Sequence, residues 1–466
     1  MDDERVRVLL VTFPAQGHIN PSLQFAKRLA RMDVDVTLLT ALSAINRITK
    51  ATTSSTPRGI TFLGFSDGYD DGLKADTDFE VYMADLRRRG SETVAKLVTS
   101  SGENGKPFVH VVYTILLSWV SQVTRALHVP STFLWIEPAA ILDIYYYSFY
   151  GYGDVIRNNV NDPSWSVELP GLPRLTGRDL PSFLCAPNLC KFELSLFKEH
   201  IDTLGEETNP KVLVNSFDAL ESEALRAIKK LNFVAIGPLI PSAFLDRKDP
   251  SDNSFGGDLL QKSNDHIEWL DSKPRGSVIY VAFGSISELA KQQTEEVACG
   301  LLDCERPFLW VMRGKGNDEK EEDKVLGYKE ELERQGMIVS WCSQVEVLSH
   351  SSVGCFVSHC GWNSSLESLV SGIPVVAFPQ WADQAMNAKL IEDVWKTGVR
   401  LMKNGEGIVK GGEVKRCIEM VMGGGDRGEE MRNNANKWKD LAREATAEGG
   451  SSDKNLNAFV DEVRAH

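Results

Sequence analysis

Apolar residues first gather at Arg7–Phe13 (RVLLVTF), a short run with no polar alternation, as in a parallel strand buried on both faces. The segment Pro14–Asn20 (PAQGHIN) reads as a turn. From Pro21, which suits a first helical position, Leu23, Phe25, Ala26, Leu29 and Ala30 follow at helical spacing. Val34–Thr40 then reads as the next strand, completing a β-α-β unit. Similar runs predict strands at Ile60–Phe65, Val109–Tyr113, Ser131–Trp135 and Val212–Asn215. After Ile236-Gly237-Pro238 the pattern is lost, and Pro241–His266 is polar, with few apolar anchors. The alternation then restarts, with strands expected at Val278–Phe283, Phe308–Met312, Gly354–Ser358 and Pro374–Phe378, a helix around Gln292–Leu302, and helix from Met431 onward.

The pattern predicts two facing α/β domains with a cleft between them: residues 1–240, a linker at 241–266, residues 267–440, and a C-terminal helix at 441–466 that packs back on the first domain. A chain of 466 residues exceeds one ordinary core, which agrees. Open sheets of this type take ligands beyond their strand ends, so the cleft is the expected site.

Charge and cysteine usage narrow the classes. The net charge of −14 leaves no basic stripe for nucleic acid or an anionic membrane. The acidic N-terminus is unlike a secretory signal, and the longest apolar stretch, Val109–Val120, is too short to span a bilayer, so we expect a cytoplasmic protein without stable membrane insertion. The eight cysteines are scattered, as free thiols are. Cys342, Cys355, His359 and Cys360 match no zinc spacing. Asp67–Gly72 fails as a calcium loop because Tyr69 stands where an oxygen ligand belongs. No G-x-G-x-x-G follows the first strand, which disfavours a nicotinamide enzyme. The charge run Asn317–Lys324 reads as a solvated loop.

The chemistry gathers in Trp341–Gln384 (WCSQVEVLSHSSVGCFVSHCGWNSSLESLVSGIPVVAFPQWADQ). A strand ends at Ser358 and a helical pattern starts at Leu366, which places His359, Asn363 and Ser364 around a helix N-terminus. Free N–H groups and the positive dipole end favour phosphate there, although Asn and Ser are also common caps. Asp383 and Gln384 stand at the mouth of the next strand, as a carboxylate and an amide that can grip sugar hydroxyls. Trp341 offers a flat face to a base.

On these residues the segment resembles the box of plant family 1 UDP-dependent glycosyltransferases, which have the two-domain GT-B fold of facing Rossmann-like domains. The resemblance extends over nearly the whole chain. It implies that Trp341 stacks on uracil with Cys342 beside it. Gln344 lies near the ribose, whose hydroxyls Glu367 holds. His359, Asn363 and Ser364 bind the diphosphate, with Ser285 near it, and Trp362, Asp383 and Gln384 contact the sugar, with Trp381 a further matching position. Gln384 and Trp362 fit glucose better than glucuronate. UDP-glucose is then a co-substrate, and neither a metal nor another cofactor is implied.

His18 lies in the turn after the first strand, where a neutral imidazole can take a proton from an acceptor hydroxyl. The fragment Phe13–Pro21 (FPAQGHINP) resembles the family's base motif. In many relatives an Asp orients that base, but here Thr114 stands at its position as a second catalytic candidate: a hydroxyl can orient an imidazole but cannot stabilise an imidazolium as a carboxylate does, so either Thr114 and its neighbours suffice or the acceptor needs less help. The second alternative points to acceptors that need less proton removal: carboxylic acids, already ionised, or phenols. The passages FSDGYDDG, VYTILLSW and VLVNSFDALE resemble the subgroup of anthocyanin 5-O- and crocetin- or iridoid-type glucosyltransferases. Trp119, Glu137, Tyr145, Tyr146, Tyr147 and Phe149 are candidates for the acceptor pocket. The expectation is an inverting, metal-independent transfer of glucose to a hydroxyl or carboxyl of a small flavonoid, phenolic, terpenoid or aromatic acid by a monomer. The alternative is a protein that binds a sugar nucleotide without transferring it.

Overall fold

The computed structural model describes residues 5–51, 58–74, 76–186, 189–256, 265–312 and 327–465. The charge run at 317–324 and part of the linker therefore lie outside the described residues.

Runs of Val, Leu and Ile with both faces covered become strands of two parallel sheets. The first contains β1 (Arg7–Val11), β2 (Asp35–Ala41), β3 (Ile60–Phe65), β4 (His110–Thr114) and β5 (Ser131–Trp135). A two-residue antiparallel pair, β6 (Ser166–Val167) and β7 (Leu175–Thr176), stands apart, and β8 (Lys211–Val214) and β9 (Asn232–Ala235) complete the sheet in the order β3-β2-β1-β4-β5-β8-β9. The second contains β10 (Val278–Ala282), β11 (Phe308–Val311), β12 (Met337–Val339), β13 (Val353–Ser358), β14 (Val375–Ala377) and β15 (Gly398–Arg400), in the order β12-β11-β10-β13-β14-β15. Strand order reverses beside β1 in one sheet and beside β10 in the other, which opens a crevice at the carboxyl ends of each.

Both functional helices begin earlier than the sequence pattern suggests. The first spans Gln16–Arg31, so Pro21 lies inside it and His18 stands in its first turn, not in a preceding loop. The second spans Trp362–Ser371 and not a helix from Leu366, with Gly361 as N-cap and no side-chain cap bond. Asn363 and Ser364 are thus first-turn residues. Polar Asn-Ser-Ser mimics a loop in sequence, but their N–H groups are those a helix start leaves unused.

The linker is more anchored than its polarity implied. Leu245 and Phe255 are buried, and the buried Asp252 pairs with Lys27 at 2.7 Å. The end of the chain forms two helices, Asp426–Thr446 and Ser451–Arg464. The last lies on the first sheet: the Phe459 ring meets Phe25 at 6.2 Å and His110 at 5.5 Å, and Asn455 Nδ2 donates to the Ala235 carbonyl at 2.8 Å. Among the described residues no helix is long and apolar enough to cross a membrane.

Candidate active site

One cavity of about 270 Å³ lies between the sheets, and every residue assigned to the donor from the sequence lines it. Trp341 and Cys342 follow β12, Ser285 follows β10, His359 follows β13, and Trp381–Gln384 follow β14. His18 faces them from the first domain.

The donor helix presents its first turn to this cavity. Gln344 Nε2 donates to Ser364 Oγ at 2.7 Å and to Glu367 Oε2 at 2.8 Å, fixing a carboxylate that is almost wholly buried. Cys342 Sγ lies 3.6 Å from the Tyr280 hydroxyl and forms part of the cavity floor. The imidazole of His359 is wedged between Gly284 and Gly361, where an added Cβ would come within 2.5 and 2.6 Å of its Nε2. Gly284 also has φ +77°, which other residues rarely adopt. Gly284→Ala will push His359 out of place and lower kcat/KM for the donor at least about tenfold. Steady-state kinetics at varied donor concentration, with a circular dichroism check of folding, measures it.

Several donor residues also bind the first domain, which the sequence does not announce. Pro21 has no N–H, so the carbonyl of Gly17 lacks its helical partner. Asn363 Nδ2 supplies one from the other domain at 2.8 Å. Trp362 Nε1 donates to the Asn215 carbonyl at 2.8 Å, so the indole N–H is spent on a domain contact and not offered to a sugar. Ala382 and Ser182 exchange two bonds, 2.8 and 3.0 Å long. Trp381 is partly exposed at the rim, its Nε1 on Ser287 Oγ at 3.0 Å. Gln384 folds its carbonyl oxygen onto the Gln380 and Trp381 N–H groups, leaving its amide N–H₂ for a ligand. Asp383 accepts from Asn387 Nδ2 at 2.6 Å.

Burial lowers the pKa of His18 to about 4, so the imidazole is neutral around pH 7. Its Nδ1 is buried with no hydrogen-bond partner among the described residues. Thr114 does not fill that place. Its hydroxyl lies 3.4 Å from Thr12 Oγ1 and 3.4 Å from the Phe13 N–H, in a cluster completed by Ser22 Oγ on Thr12 at 2.9 Å. The expected catalytic role of Thr114 is thus corrected: β4 ends with this side chain turned toward the hydroxyls of Thr12 and Ser22, and it does not line the cavity.

Of the acceptor candidates, only Glu137 lines the cavity, joined by Ile115 and Ile136, which carried no recognisable motif. Trp119 packs on Gly90, and Tyr145 stacks on Phe197 at 4.3 Å. Tyr146 and Tyr147 pack on each other at 5.6 Å, and Phe149 stacks beside Tyr145 at 6.4 Å. A run of aromatics on a buried helix looks the same in sequence whether it faces a core or a ligand.

Residues 259–411 match the UDP-glucoronosyl and UDP-glucosyl transferase family. The chain is 58% identical over 461 residues to a protein named crocetin glucosyltransferase, chloroplastic, from Gardenia jasminoides, covering 98% of this chain and 97% of that one. It is 60% identical over 473 residues to a phloretin 4'-O-glucosyltransferase from Malus domestica, covering 98% of each. The crystal structure of Os79 from O. sativa in complex with UDP superposes with TM-score 0.85 at 35% identity, covering 98% of this chain and 100% of that one. With two facing parallel-sheet domains and this degree of identity along its length, the chain is a GT-B protein and belongs to the UDP-glucoronosyl and UDP-glucosyl transferase family.

Proposed function

We propose that the protein moves glucose from UDP-glucose to a hydroxyl or carboxyl of a small plant secondary metabolite, by direct displacement with inversion at the anomeric carbon. The observation that carries this reading is the convergence of His18 and all the donor-box residues on one cavity. The relatives named for crocetin, phloretin 4'-O and anthocyanidin 3-O-glucoside 5-O transfer support a small-molecule acceptor and glucose as the sugar.

Trp341 stacks on the uracil, and Glu367, held by Gln344, takes the ribose hydroxyls. The diphosphate lies at the first turn of the Trp362–Ser371 helix, beside His359 and Ser285. There the N–H groups and the dipole offset the charge that builds as UDP leaves, an electrostatic role that is strong in a site shielded from water. Asp383 and Gln384 hold the sugar. Neutral His18 takes the acceptor's proton as its oxygen attacks the anomeric carbon on the side opposite UDP.

Without a carboxylate on Nδ1, the imidazolium so formed gains little stabilisation, which makes His18 a weak base. Acceptors that arrive ionised, or ionise readily, suit it better than alkyl alcohols. UDP-glucose offered with a panel of phenols and of terpenoid and aromatic carboxylic acids will give glucosides. Tight UDP binding with no glycoside would instead indicate a binding protein.

No metal takes part in this mechanism, because the helix terminus and His359 face the leaving diphosphate. Full turnover after EDTA treatment is the expected result, and its abolition, restored by a divalent cation, would refute this point.

A further inference from the structure

No Lys or Arg lines the cavity among the described residues, yet three carboxyl groups do: Glu367, held by Gln344, and Glu137 and Asp383, which enter from the two domains. Glu137 follows β5, in a turn locked by a bond from Trp135 Nε1 to the Pro138 carbonyl at 2.7 Å. Asp383 follows β14 on the loop that Ser182 ties to the first domain. Two carboxylates that share a buried cavity, without a cation, do not both ionise readily.

We propose that Glu137 is a specificity-determining residue for the sugar: it shares one proton with Asp383 across the cavity, and the pair accepts an uncharged hexosyl donor while repelling a hexuronosyl one. The proposal rests on the UDP-sugar reading above. A singly protonated pair both donates to and accepts from sugar hydroxyls. A uronate carboxylate brought beside it adds negative charge with no cation in the cavity wall to offset it.

The electrostatics agree. Burial first, and then the charge of Asp383, hold the Glu137 carboxyl well above its ordinary range. Burial pushes Asp383 up to about 6 even though Asn387 donates to it. Other titratable groups stand nearby on the surrounding elements. Tyr145 lies behind Glu137, with Cys185 and Cys190 beyond it. His18 and His359 line the same cavity, and Cys360 backs Asp383, with Arg400 farther off and already paired with Asp179. The phenol of Tyr145 and the thiol of Cys185 are raised by burial, so neither loses its proton before the pair does.

The test compares kcat/KM for UDP-glucose and UDP-glucuronate, with one phenol as acceptor, between about pH 5 and 9 in the wild type, Glu137→Gln and Glu137→Asp. In the wild type, kcat/KM for UDP-glucose falls as the shared proton is lost with rising pH. Glutamine mimics the protonated acid, so Glu137→Gln removes that fall and, by taking away the second negative charge that the wild-type pair gains at high pH, lowers the preference for UDP-glucose there by about tenfold. Glu137→Asp keeps both. An unchanged alkaline limb and unchanged preference in Glu137→Gln would overturn the proposal and leave the donor reading intact. A wild type that prefers UDP-glucuronate would do the same, whereas one that uses neither donor would overturn both. Should Glu137→Gln not fold, the absence of an alkaline limb in the wild type, or loss of the preference in Glu137→Asp, is the overturning result.

Discussion

His18→Ala will lower kcat on a phenolic acceptor by about 10²- to 10⁴-fold, the usual contribution of a general base, with little change in the KM for UDP-glucose. On a carboxylic acid acceptor the same variant will keep most of its rate, because that nucleophile is ionised before it binds. The split between acceptors is the useful part. A residue that merely supported the fold would depress both equally. The pH dependence follows from the same burial. His18 loses its proton at about 4 and not near 6.5, so the acid limb of kcat/KM for a phenol lies near pH 4. The folded-state pKa lies below the unfolded one, so the neutral form favours folding. This contribution is complete above pH 6.5 and lost as pH falls through 4. Each pH unit between those two values is worth about 1.4 kcal/mol, which makes the whole on the order of 3 kcal/mol. His200, stacked on Phe133 at 4.4 Å and pushed by burial to about 3, adds acid sensitivity in the same sense.

Asp179→Ala will destabilise the protein by about 3–5 kcal/mol, the usual cost of leaving one side of a buried ion pair behind. Asp179 belongs to the first half of the chain and is 1% exposed. Arg400, at the end of β15, reaches it at 2.8 Å, and Lys389 stands 3.8 Å from its other oxygen. That second oxygen also accepts from the Thr176 N–H and hydroxyl, at 3.0 and 2.7 Å. Removing the carboxylate leaves a buried guanidinium with only the Arg178 carbonyl, at 2.6 Å, among the described residues. Urea denaturation of the two proteins measures the change. Because the Ser182–Ala382 clamp lies next to this joint, the variant will also raise the KM for UDP-glucose. A change under about 1 kcal/mol would mean the pair is screened by water, as surface pairs are.

The strands β1, β3, β5 and β13 are legible in sequence because each is an apolar run bounded by a polar turn. The signal fails at β15, where Gly398 and Arg400 leave a single apolar residue, and at β9, which runs straight into Ile236-Gly237-Pro238, where the pattern ends. The helix starts were displaced for definite reasons. Pro21 looks like a first position, yet it stands inside its helix and frees the Gly17 carbonyl for Asn363. The polar Asn363-Ser364-Ser365 looks like a loop, yet it belongs to the first turn that faces the cavity.

The pattern of one continuous segment set Trp341, His359, Asn363, Ser364, Asp383 and Gln384 at strand ends and a helix start, whereas Ser285, Cys342, Gln344, Trp362, Glu367 and Trp381 were drawn to the site by the resemblance alone; all of them line one cavity. The place of Thr114 was not legible, since its hydroxyl is claimed by Thr12, about a hundred residues earlier in the chain. Nor was the opposition of Glu137 and Asp383, which depends on how two separate sheets meet. Contacts between halves leave no periodicity behind.

The most direct test is the stereochemistry of the product. UDP-glucose carries its sugar as the α-anomer, and attack from the side opposite UDP turns the centre over. Proton NMR of the glucoside formed from UDP-glucose and a phenolic acceptor, in the presence of EDTA, will show the large anomeric coupling of a β-glucoside. An α-glucoside, or free glucose and UDP with no glycoside, would contradict the account.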